Sequence, residues 1–356
     1  MERKMSSKVN TPKYELIKET LRDMVLNGEI KDKLPGERVL AKEFGVSYMT
    51  MRKAVEELTD EEFLYKEPGR GTFVCRKGYI YKKTYNIGFF LPEWIGGGIT
   101  GHYYSTLFNQ LEHFSHLNGY NLIYFSKVKD LFPYSPRRKA DGIIFTLFPE
   151  EEEYIREIQS FVHIVTVETA LEGSSIPAVL IDNFSGGYQA TSHLIKLGHE
   201  RIAYITGRLN NKLGLDRLSG YKKALSDANI KLREGYIIEG DFLFDTGFNL
   251  TEKVLSLSPV PTAVVTGNDL MALGLMKGLQ IAGRNVPEDI SLVGFDDIEA
   301  ASQSHPALTT IHVYHDEVAK MAVEMLLRLI DNNFSEKQTV KCVPVTLIER
   351  ESCRKI

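Results

Sequence analysis

The 356-residue sequence contains only three cysteines, Cys75, Cys342 and Cys353. They are odd in number and far apart, so they form neither a disulfide framework nor the short ligand spacing of a metal site. We expect three ordinary thiols, no bound metal and no other cofactor.

Long apolar runs are also missing. No stretch reaches the roughly 18 consecutive apolar residues needed to span a membrane. The first residues, MERKMSSKVNTPKY, include basic side chains but lack the apolar core of a signal peptide. We therefore expect a cytoplasmic protein.

Sequence motifs of common enzymes are absent as well. The chain has no G-x-x-x-x-G-K-[ST] phosphate loop, no H-E-x-x-H and no G-x-S-x-G. Asp296 and Asp297 are adjacent carboxylates, but neighbouring residues at a strand end point in different directions, so only one should enter a pocket. His199 follows a helix end and is expected to be structural. These observations predict a protein that is not an enzyme.

Charge is distributed unevenly along the chain. Residues 1–83 contain 18 Lys and Arg against 14 Asp and Glu, whereas the rest contains 25 against 33. A basic head on an acidic body is typical of nucleic-acid binding at one end only. The length indicates two or more domains, and the 43% apolar content is enough for each to form a core.

Residues 12–75 carry the pattern of a helix-turn-helix with a wing. Apolar residues at helical spacing predict three helices. The second spans Glu37–Phe44 with Val39 turned inward, and the third follows Ser47, a good N-cap. Two short strands flank Pro68-Gly69-Arg70-Gly71.

The third helix and the wing supply candidate DNA contacts. Tyr48, Arg52 and Lys53 lie on the outward face near the start of the helix, with Thr50 at its boundary, where donors can reach base edges and phosphates. Gly69, Arg70 and Gly71 form the wing tip, at which the guanidinium can enter a groove. The alternatives are a solvated helix face and an ordinary hairpin turn.

This region resembles the winged helix of the GntR family. The resemblance rests on LP-x-ER-x-LA, FGVS-x-x-T-x-R-x-A-x-x-x-L and GRGTFV, which together cover about 65 residues. It implies DNA contacts from Arg38, Ser47, Thr50, Arg52 and the wing around Arg70. Tyr48 stands where the family usually has Arg, which puts the usual base readout in doubt.

From residue 85 onward, short apolar strands alternate with amphipathic helices, which predicts an α/β fold with parallel sheets covered on both faces. About 270 residues of this pattern suit two doubly wound subdomains, with ligands at the carboxyl ends of the strands. The eight expected strands are Asn86–Pro92, Asn121–Ser126, Asp141–Phe148, His163–Glu168, Ala178–Asn183, Arg201–Thr206, Thr262–Gly267 and Ser291–Asp296.

The residues at the ends of these strands suit a polyol ligand. Glu168, Asn268 and Asp296 follow three of the strands, and Arg217 lies in an amphipathic helix. Carboxylates and Arg can each bond two adjacent hydroxyls, and aromatic rings such as those of Tyr103 and Tyr104 can cover the apolar face of a sugar. For each residue alone, a helix cap or a surface charge is the alternative.

The body resembles the effector domain of the LacI/GalR repressors, which is similar to the type I periplasmic sugar-binding proteins. The residues that carry the resemblance are IDNFSGGYQATSHLIKLGHERIAYITG, DRLSGYKKAL, PTAVVTGNDLMALGLMKGL, VPEDISLVGFDDIEAASQSHPALTTIHV and IERESC. It implies effector contacts from Glu168, Arg217, Asn268 and Asp296, with an aromatic shelf from Tyr103 and Tyr104. Tyr314 or His315 is expected to add another contact.

The expected organisation is a winged helix-turn-helix domain at 1–75, a basic linker at 76–84 and an effector and dimerisation domain at 85–356. Subdomain one is expected to comprise 85–182 and 312–331. Subdomain two is expected to comprise 183–311 and 332–350.

These expectations combine into a sugar-controlled transcriptional regulator, most simply a repressor, that binds double-stranded operator DNA as a homodimer. The pairing of the two modules resembles the bacterial arabinose repressors, so arabinose or a similar sugar is the expected effector. Three alternatives stay open: a sugar-binding protein with a non-functional head, a ligand that acts as co-repressor, and a ligand that is not a sugar.

Overall fold

Three helices and a two-stranded hairpin form the head of the chain. The computed structural model describes residues 12–61, 63–75, 83–93, 95, 98–127, 139–146, 149–159, 161–331 and 339–356, so most of the expected linker lies outside the described residues. The head elements are α1 (Lys13–Leu26), α2 (Glu37–Glu43), α3 (Tyr48–Asp60), β1 (Leu64–Glu67) and β2 (Gly71–Val74). Strands β1 and β2 are antiparallel, and the predicted winged helix-turn-helix is confirmed.

Apolar side chains from all of these elements meet in one core. Leu21 of α1, Leu40 of α2 and Met51 of α3 are fully buried in it. The prediction that Val39 faces inward is wrong, because 61% of this residue is exposed. The buried stripe of α2 passes through Leu40 and Ala41, and one residue corresponds to about 100° around a helix.

The first subdomain is built on a six-stranded parallel sheet. Its strands are β3 (Asn86–Phe90), β4 (Asn121–Phe125), β5 (Gly142–Thr146), β6 (His163–Val167), β7 (Ala178–Ile181) and β13 (Val340–Val343), in the spatial order β13-β7-β6-β5-β3-β4. The helices of this subdomain are α4 (His102–Leu117), α5 (Glu152–Ile158) and α12 (His315–Ile330). Every residue of β5 is buried, as expected for a parallel strand covered on both faces.

The second subdomain has a four-stranded parallel sheet. Its strands are β8 (Ile202–Ile205), β9 (Ile237–Ile238), β10 (Ala263–Thr266) and β11 (Ser291–Val293), in the spatial order β11-β10-β8-β9. Its helices are α6 (Asn183–Lys196), α7 (Lys212–Asp227), α8 (Phe244–Asn249), α9 (Thr251–Ser256), α10 (Asp269–Ile281) and α11 (Glu299–Gln303). All eight expected strands are present in the two sheets, although each is shorter than expected.

The last crossing between the subdomains lies further along the chain than the sequence indicated. β12 (Thr310–Val313) and β14 (Val345–Ile348) form a separate antiparallel pair. The assignment of 332–350 to subdomain two needs correction, because Val340–Val343 pairs in parallel with Ala178–Ile181 at the edge of the first sheet. The chain therefore adds a strand to subdomain one before it returns through β14.

The end of the described chain packs on subdomain two. The amide of Leu292 in β11 donates to the carbonyl oxygen of Ser352 over 2.8 Å. His199 bridges Thr262 and the Arg354 carbonyl oxygen at 2.9 and 3.0 Å, so its predicted structural role fits its contacts. Among the helices in the described ranges, none combines the length and apolar character needed to cross a membrane.

Candidate functional site: a winged head and an inter-subdomain cleft

Helix α3 begins with a well-formed cap. The Ser47 hydroxyl oxygen accepts a hydrogen bond from the Thr50 amide at 3.1 Å and lies 2.7 Å from the Thr50 hydroxyl. These contacts satisfy polar groups at the start of the helix and fix the backbone there. Tyr48 and Met49, in the first turn, are 39% and 68% exposed.

The cationic side chains beside this turn are accessible. Arg52 forms an exposed ion pair with Glu56 at 2.7 Å, and about half of each side chain is open to solvent. Such exposed pairs contribute little stability, so a phosphate or a base edge can replace Glu56 at small cost. The Arg38 guanidinium lies 5.9 Å from the centroid of the Tyr48 ring, which links α2 to the start of α3.

The wing tip follows the predicted form. Gly69 and Gly71 have φ angles of 73° and 122°, which only glycine adopts without strain. Arg70 lies between them with 72% of its side chain exposed, and it pairs with Glu67. A Cβ on Gly71 would lie 2.8 Å from the Lys33 side chain, so glycine also makes room for that lysine.

Lys53 differs from the other predicted DNA contacts. Its ammonium nitrogen lies 3.6 Å from the centroid of the Tyr14 ring in α1. This cation–π contact holds the side chain against α1 rather than beside Arg52. Lys53 is nevertheless exposed, so its contact with DNA stays a prediction.

A cleft of about 790 Å³, including its mouth, opens between the two subdomains. Six of the eight predicted ligand residues line it, namely Tyr103, Tyr104, Glu168, Arg217, Asn268 and Asp296. Two helix starts and the carboxyl ends of several strands bring them together, which is where doubly wound sheets bind ligands.

Subdomain one contributes a carboxylate with two tyrosines. Glu168 follows β6 directly and has a φ of 71°, an uncommon value for a residue other than glycine. The Tyr104 hydroxyl donates to Glu168 Oε2 over 3.2 Å. Burial raises the pKa of Glu168, although the hydroxyls of both tyrosines and the Arg217 guanidinium favour its ionised form.

Subdomain two contributes a guanidinium held in a fixed position. Arg217 is only 4% exposed, and its Nε donates to Asn183 Oδ1 at 2.7 Å. Its Nη1 donates to the Gly267 carbonyl oxygen at 2.5 Å and to Asp296 Oδ1 at 3.4 Å. The guanidinium carbon lies 3.6 Å from the centroid of the Phe295 ring, so the planar group is stacked as well as hydrogen-bonded.

Asp296 and Asp297 face different surroundings, as the sequence predicted. Asp296 lines the cleft, has a φ of 111° and is 6% exposed. Burial raises the pKa of Asp296 to about 7, although Arg217 favours the carboxylate. Asp297 instead accepts from Arg350 Nη2 at 2.6 Å and lies 2.8 Å from His312 Nδ1.

Asn268 combines the two roles that the sequence left open. Its Oδ1 accepts from the Met271 amide at 3.1 Å and so caps α10, while its Nδ2 donates to the Phe242 carbonyl oxygen at 2.9 Å. The same residue lines the cleft. The cap therefore fixes the side chain in place beside the ligand space.

The predicted contact from Tyr314 or His315 is not seen in the cleft lining. The Tyr314 hydroxyl lies 3.1 Å from the Thr346 hydroxyl, on the crossover strands. His315 lies behind Tyr103, with ring centroids 4.6 Å apart, and burial lowers its pKa to about 4. His315 is the first residue of α12, and Tyr314 directly precedes it. Helix α12 packs on the first sheet, so these two side chains lie outside the cleft lining.

The sequence did not reveal ten further residues that line the cleft. The additional lining residues are Ile95, Gly101, His102, Arg208, Asn211, Leu213, Asp241, Phe242, Leu243 and Leu270. Asn211 caps α7 by accepting from the Gly214 amide, and such a cap after an apolar strand was a usable signal. Asp241 and Phe242 follow β9, which is only two residues long and gave no recognisable pattern.

Comparisons with known proteins agree with both parts of the chain. Residues 13–74 match the family model of the bacterial regulatory proteins of the gntR family. Residues 191–353 match that of the periplasmic binding protein-like domain.

Full-length relatives match most of the chain. It is 34% identical over 263 residues to the HTH-type transcriptional repressor PurR of Vibrio atlanticus, a match that covers 72% of this chain and 78% of the relative. It is 36% identical over 219 residues to the repressor PurR of Escherichia coli O1:K1, covering 61% of this chain and 64% of the relative.

A solved structure resembles the body of this chain in fold. The LacI family transcriptional regulator from Enterococcus faecium, described with bound ribose, superposes with a TM-score of 0.65. It is 27% identical and covers 76% of this chain and 99% of its own.

Proposed function

This chain belongs to the LacI-type family of transcriptional repressors and carries a GntR-type DNA-binding head, and from that premise we propose that a small sugar bound in the cleft controls its hold on operator DNA. The observation that carries this proposal is the convergence of Glu168 with Arg217 and Asp296 across the two walls of the cleft. The relatives are repressors rather than enzymes, in agreement with the expectation from the sequence.

The chemistry of the cleft favours a polyol. Carboxylates accept hydrogen bonds from hydroxyl groups, and the guanidinium supplies a donor pair fixed by its contacts to Asn183 and Gly267. Tyr103 and Tyr104 add aromatic rings at the wall formed by the start of α4. The ribose described in the Enterococcus faecium regulator supports a pentose as the first class to test.

The head supports binding to double-stranded operator DNA. The exposed first turn of α3, the guanidinium groups of Arg38 and Arg52, and the wing tip at Arg70 form one set of groups suited to bases and phosphates. Helix-turn-helix proteins usually read two half-sites as dimers, so we propose a homodimer on a palindromic operator. A cytoplasmic location belongs to the same proposal, because the target is DNA.

The proposed mechanism is a shift between two populations. The cleft walls come from different subdomains, so a ligand that contacts both walls favours a closed arrangement. Closure changes the geometry of the two heads in the dimer and lowers the population that fits the operator. A hundredfold change in operator affinity corresponds to a coupling free energy of about 2.7 kcal/mol.

A purine-type ligand is the second candidate. The relatives are repressors named PurR. The cleft is also lined by Phe242 and Leu243, beside which a flat aromatic base can pack. A purine lacks adjacent hydroxyls for Glu168 and Asp296, which is why we place the sugar first.

Ligand screening by thermal shift separates these candidates. We expect L-arabinose, D-ribose or a related sugar to raise the melting temperature, since a ligand that binds only the folded state stabilises it by mass action. Hypoxanthine and guanine are tested in parallel as purines. Arg217→Ala is the control variant, and we expect its melting temperature to be unchanged by the sugar. A shift with the purines alone would replace the sugar by a purine.

A gel-shift experiment then tests regulation. We expect the full-length protein to bind a duplex taken from the region upstream of its own gene, and the active sugar to weaken that binding. Tighter binding with sugar would make the ligand a co-repressor. No binding to any such duplex at low salt would show that the head is non-functional.

A further inference from the structure

An aromatic side chain of the body, Phe161, lies in the core of the head. Phe161, which lies between α5 and β6, is 4% exposed and belongs to the same apolar cluster as Leu21 and Leu58. Its ring stacks on that of Phe63 in the head, with centroids 5.5 Å apart and an angle of 17° between the planes. Phe63 itself is 1% exposed.

On the body side, Phe161 is connected to the cleft by one strand. β6 begins at His163, two residues after Phe161, and ends at Val167, directly before Glu168. The strand is paired with β5 on one side and β7 on the other, so it moves with the sheet. Five residues of strand, with a rise of about 17 Å, therefore lie between the turn that contains Phe161 and a carboxylate of the cleft.

On the head side, Phe63 is connected to both DNA-binding parts. Its amide donates to the carbonyl oxygen of Leu58 in α3 at 2.9 Å. Its own carbonyl oxygen accepts from the amide of Cys75, directly after wing strand β2, also at 2.9 Å. The Arg22 guanidinium lies 4.9 Å above its ring, on the α1 side. Phe63 is thus hydrogen-bonded both to helix α3 and to the residue that follows the wing strand β2.

We propose that Phe161 is a positioning residue that transmits the state of the cleft to the head through its stack on Phe63. This inference rests on the proposed function, because it assigns a route to the coupling between sugar and operator. The head and the body are then connected by this packed contact as well as by the linker. A ligand that pulls on Glu168 shifts β6, and the Phe161 ring then changes the position of the head.

The test uses full-length protein, with L-arabinose and D-ribose as probes. The variant is Phe161→Leu, which keeps an apolar side chain and removes the stack, and Phe161→Tyr is the conservative rescue that keeps the ring. Phe114→Leu is the matched control, because Phe114 packs against the body core and not against the head cluster. For each protein, sugar affinity and operator affinity with and without sugar are measured.

We expect Phe161→Leu to bind the sugar as wild type does but to lose most of the response. A wild-type ratio of about a hundred between the two operator affinities should fall below about ten. Phe161→Tyr and Phe114→Leu should keep the wild-type ratio. A wild-type ratio in Phe161→Leu would overturn the inference, whereas absence of any sugar response in wild type would instead contradict the proposed function.

Hydrogen exchange tests the route without relying on the ligand. Glu168→Gln alters the cleft end of β6, and we expect it to change amide exchange in β1 and β2 of the head. Adding Phe161→Leu should abolish that change. If Phe161→Leu does not fold, Phe63→Leu removes the same stack from the head side. Equal effects of Glu168→Gln with and without the stack would also overturn the inference.

Discussion

The Asp296 carboxyl group is buried in the cleft wall, and its pKa is raised from 3.8 to about 7. Burial is the main cause and the nearby Glu168 carboxylate adds to it, while Arg217 opposes both. The folded pKa therefore lies above the unfolded one. The stability that this group contributes is present below pH 4 and is lost as the pH rises towards 7.

Ligand affinity should depend on pH in the opposite direction. A carboxylate can accept hydrogen bonds from two hydroxyls, whereas the protonated acid is a poorer acceptor, so we expect the affinity of the proposed sugar to increase from pH 6 to pH 8. With a pKa near 7, the ionised fraction changes roughly tenfold over this range, which sets the size of the effect. Calorimetric titration at the two pH values measures it.

Asp296→Asn provides the comparison for that pH profile. It removes the titrating group and keeps a polar side chain of similar size, so its affinity should be lower and nearly independent of pH. A steep pH profile that survives in Asp296→Asn would assign the titration to another group, with Glu168 first in line because burial also raises its pKa.

Individual site residues were predictable where they directly follow a strong strand pattern. Glu168 and Asp296 end apolar strands, so the edge of the sheet on which they lie could be deduced. Phe242 follows a strand of two residues, which has no detectable period. Val39 was misplaced because a helix of seven residues is too short for its apolar stripe to be read reliably from the sequence.

Helix α3, which we propose reads the operator, presents Arg52 in an exposed ion pair with Glu56. We expect Arg52→Ala to weaken operator binding by about 1–3 kcal/mol if the guanidinium reads a base. If it contacts a phosphate, the dependence of affinity on salt should fall by about one unit of slope. Fluorescence anisotropy with a labelled duplex at several salt concentrations distinguishes the two.

Arg328→Ala is the matched control for that measurement. Arg328 is also exposed and also faces a glutamate one helical turn away, Glu324 at 4.0 Å, but it lies in α12 of the body. Its removal should leave operator affinity unchanged. Equal affinities for Arg52→Ala and wild type would remove α3 from the DNA interface.

Helices α6 and α7 approach each other closely at glycines. A Cβ on Gly187 of α6 would lie 2.1 Å from the backbone oxygen of Arg217, and a Cβ on Gly220 of α7 would lie 2.1 Å from that of Phe184. Glycine in a helix interior costs about 1 kcal/mol relative to alanine, so its presence here is explained by the packing. The sequence shows these glycines but not which helix they contact.

We expect Gly187→Ala to displace the backbone of Arg217 and so to affect both stability and ligand binding. Overpacking of this kind typically costs about 1–3 kcal/mol of unfolding free energy. Sugar affinity should fall as well, because the guanidinium is held between Asn183 and Gly267. Chemical denaturation and calorimetric titration measure the two effects.

Gly235→Ala makes the same chemical change where a Cβ would meet nothing within 4 Å. It should leave stability and ligand affinity close to wild type. If Gly187→Ala behaves like Gly235→Ala, the close contact between α6 and α7 does not position Arg217.

At the scale of the whole molecule, the two-subdomain architecture could be predicted but the path of the chain between the subdomains could not. Alternating strands and helices indicate parallel sheets, and about 270 residues of this pattern indicate two of them. Val340–Val343 is an edge strand with three exposed residues, so it lacks the continuous apolar pattern of the inner strands. Only the parallel pairing with β7 shows that it belongs to the first sheet.

The head and the cleft lie in different parts of one chain, so thermodynamic linkage makes a prediction that does not depend on the route between them. If two bound sugars lower the operator affinity of the proposed dimer by a given factor, the operator must lower the product of the two sugar-binding constants by the same factor. For a coupling free energy near 2.7 kcal/mol, we expect operator affinity to fall about a hundredfold and the affinity of each of the two equivalent sugar sites to fall about tenfold. Titration of sugar into free protein and into protein saturated with operator duplex measures the second factor.

Arg52→Ala serves as the control for this reciprocity. Its head binds the duplex weakly, so the same concentration of DNA should leave its sugar affinity close to that of the free protein. Because linkage is required for all sites on one molecule, a disagreement in wild type between the operator factor and the product of the two sugar factors would mean that the sugar acts outside the cleft–head equilibrium, for example by separating the dimer. Sedimentation with and without sugar then identifies that case, since a dimer that dissociates has an operator affinity that depends on protein concentration.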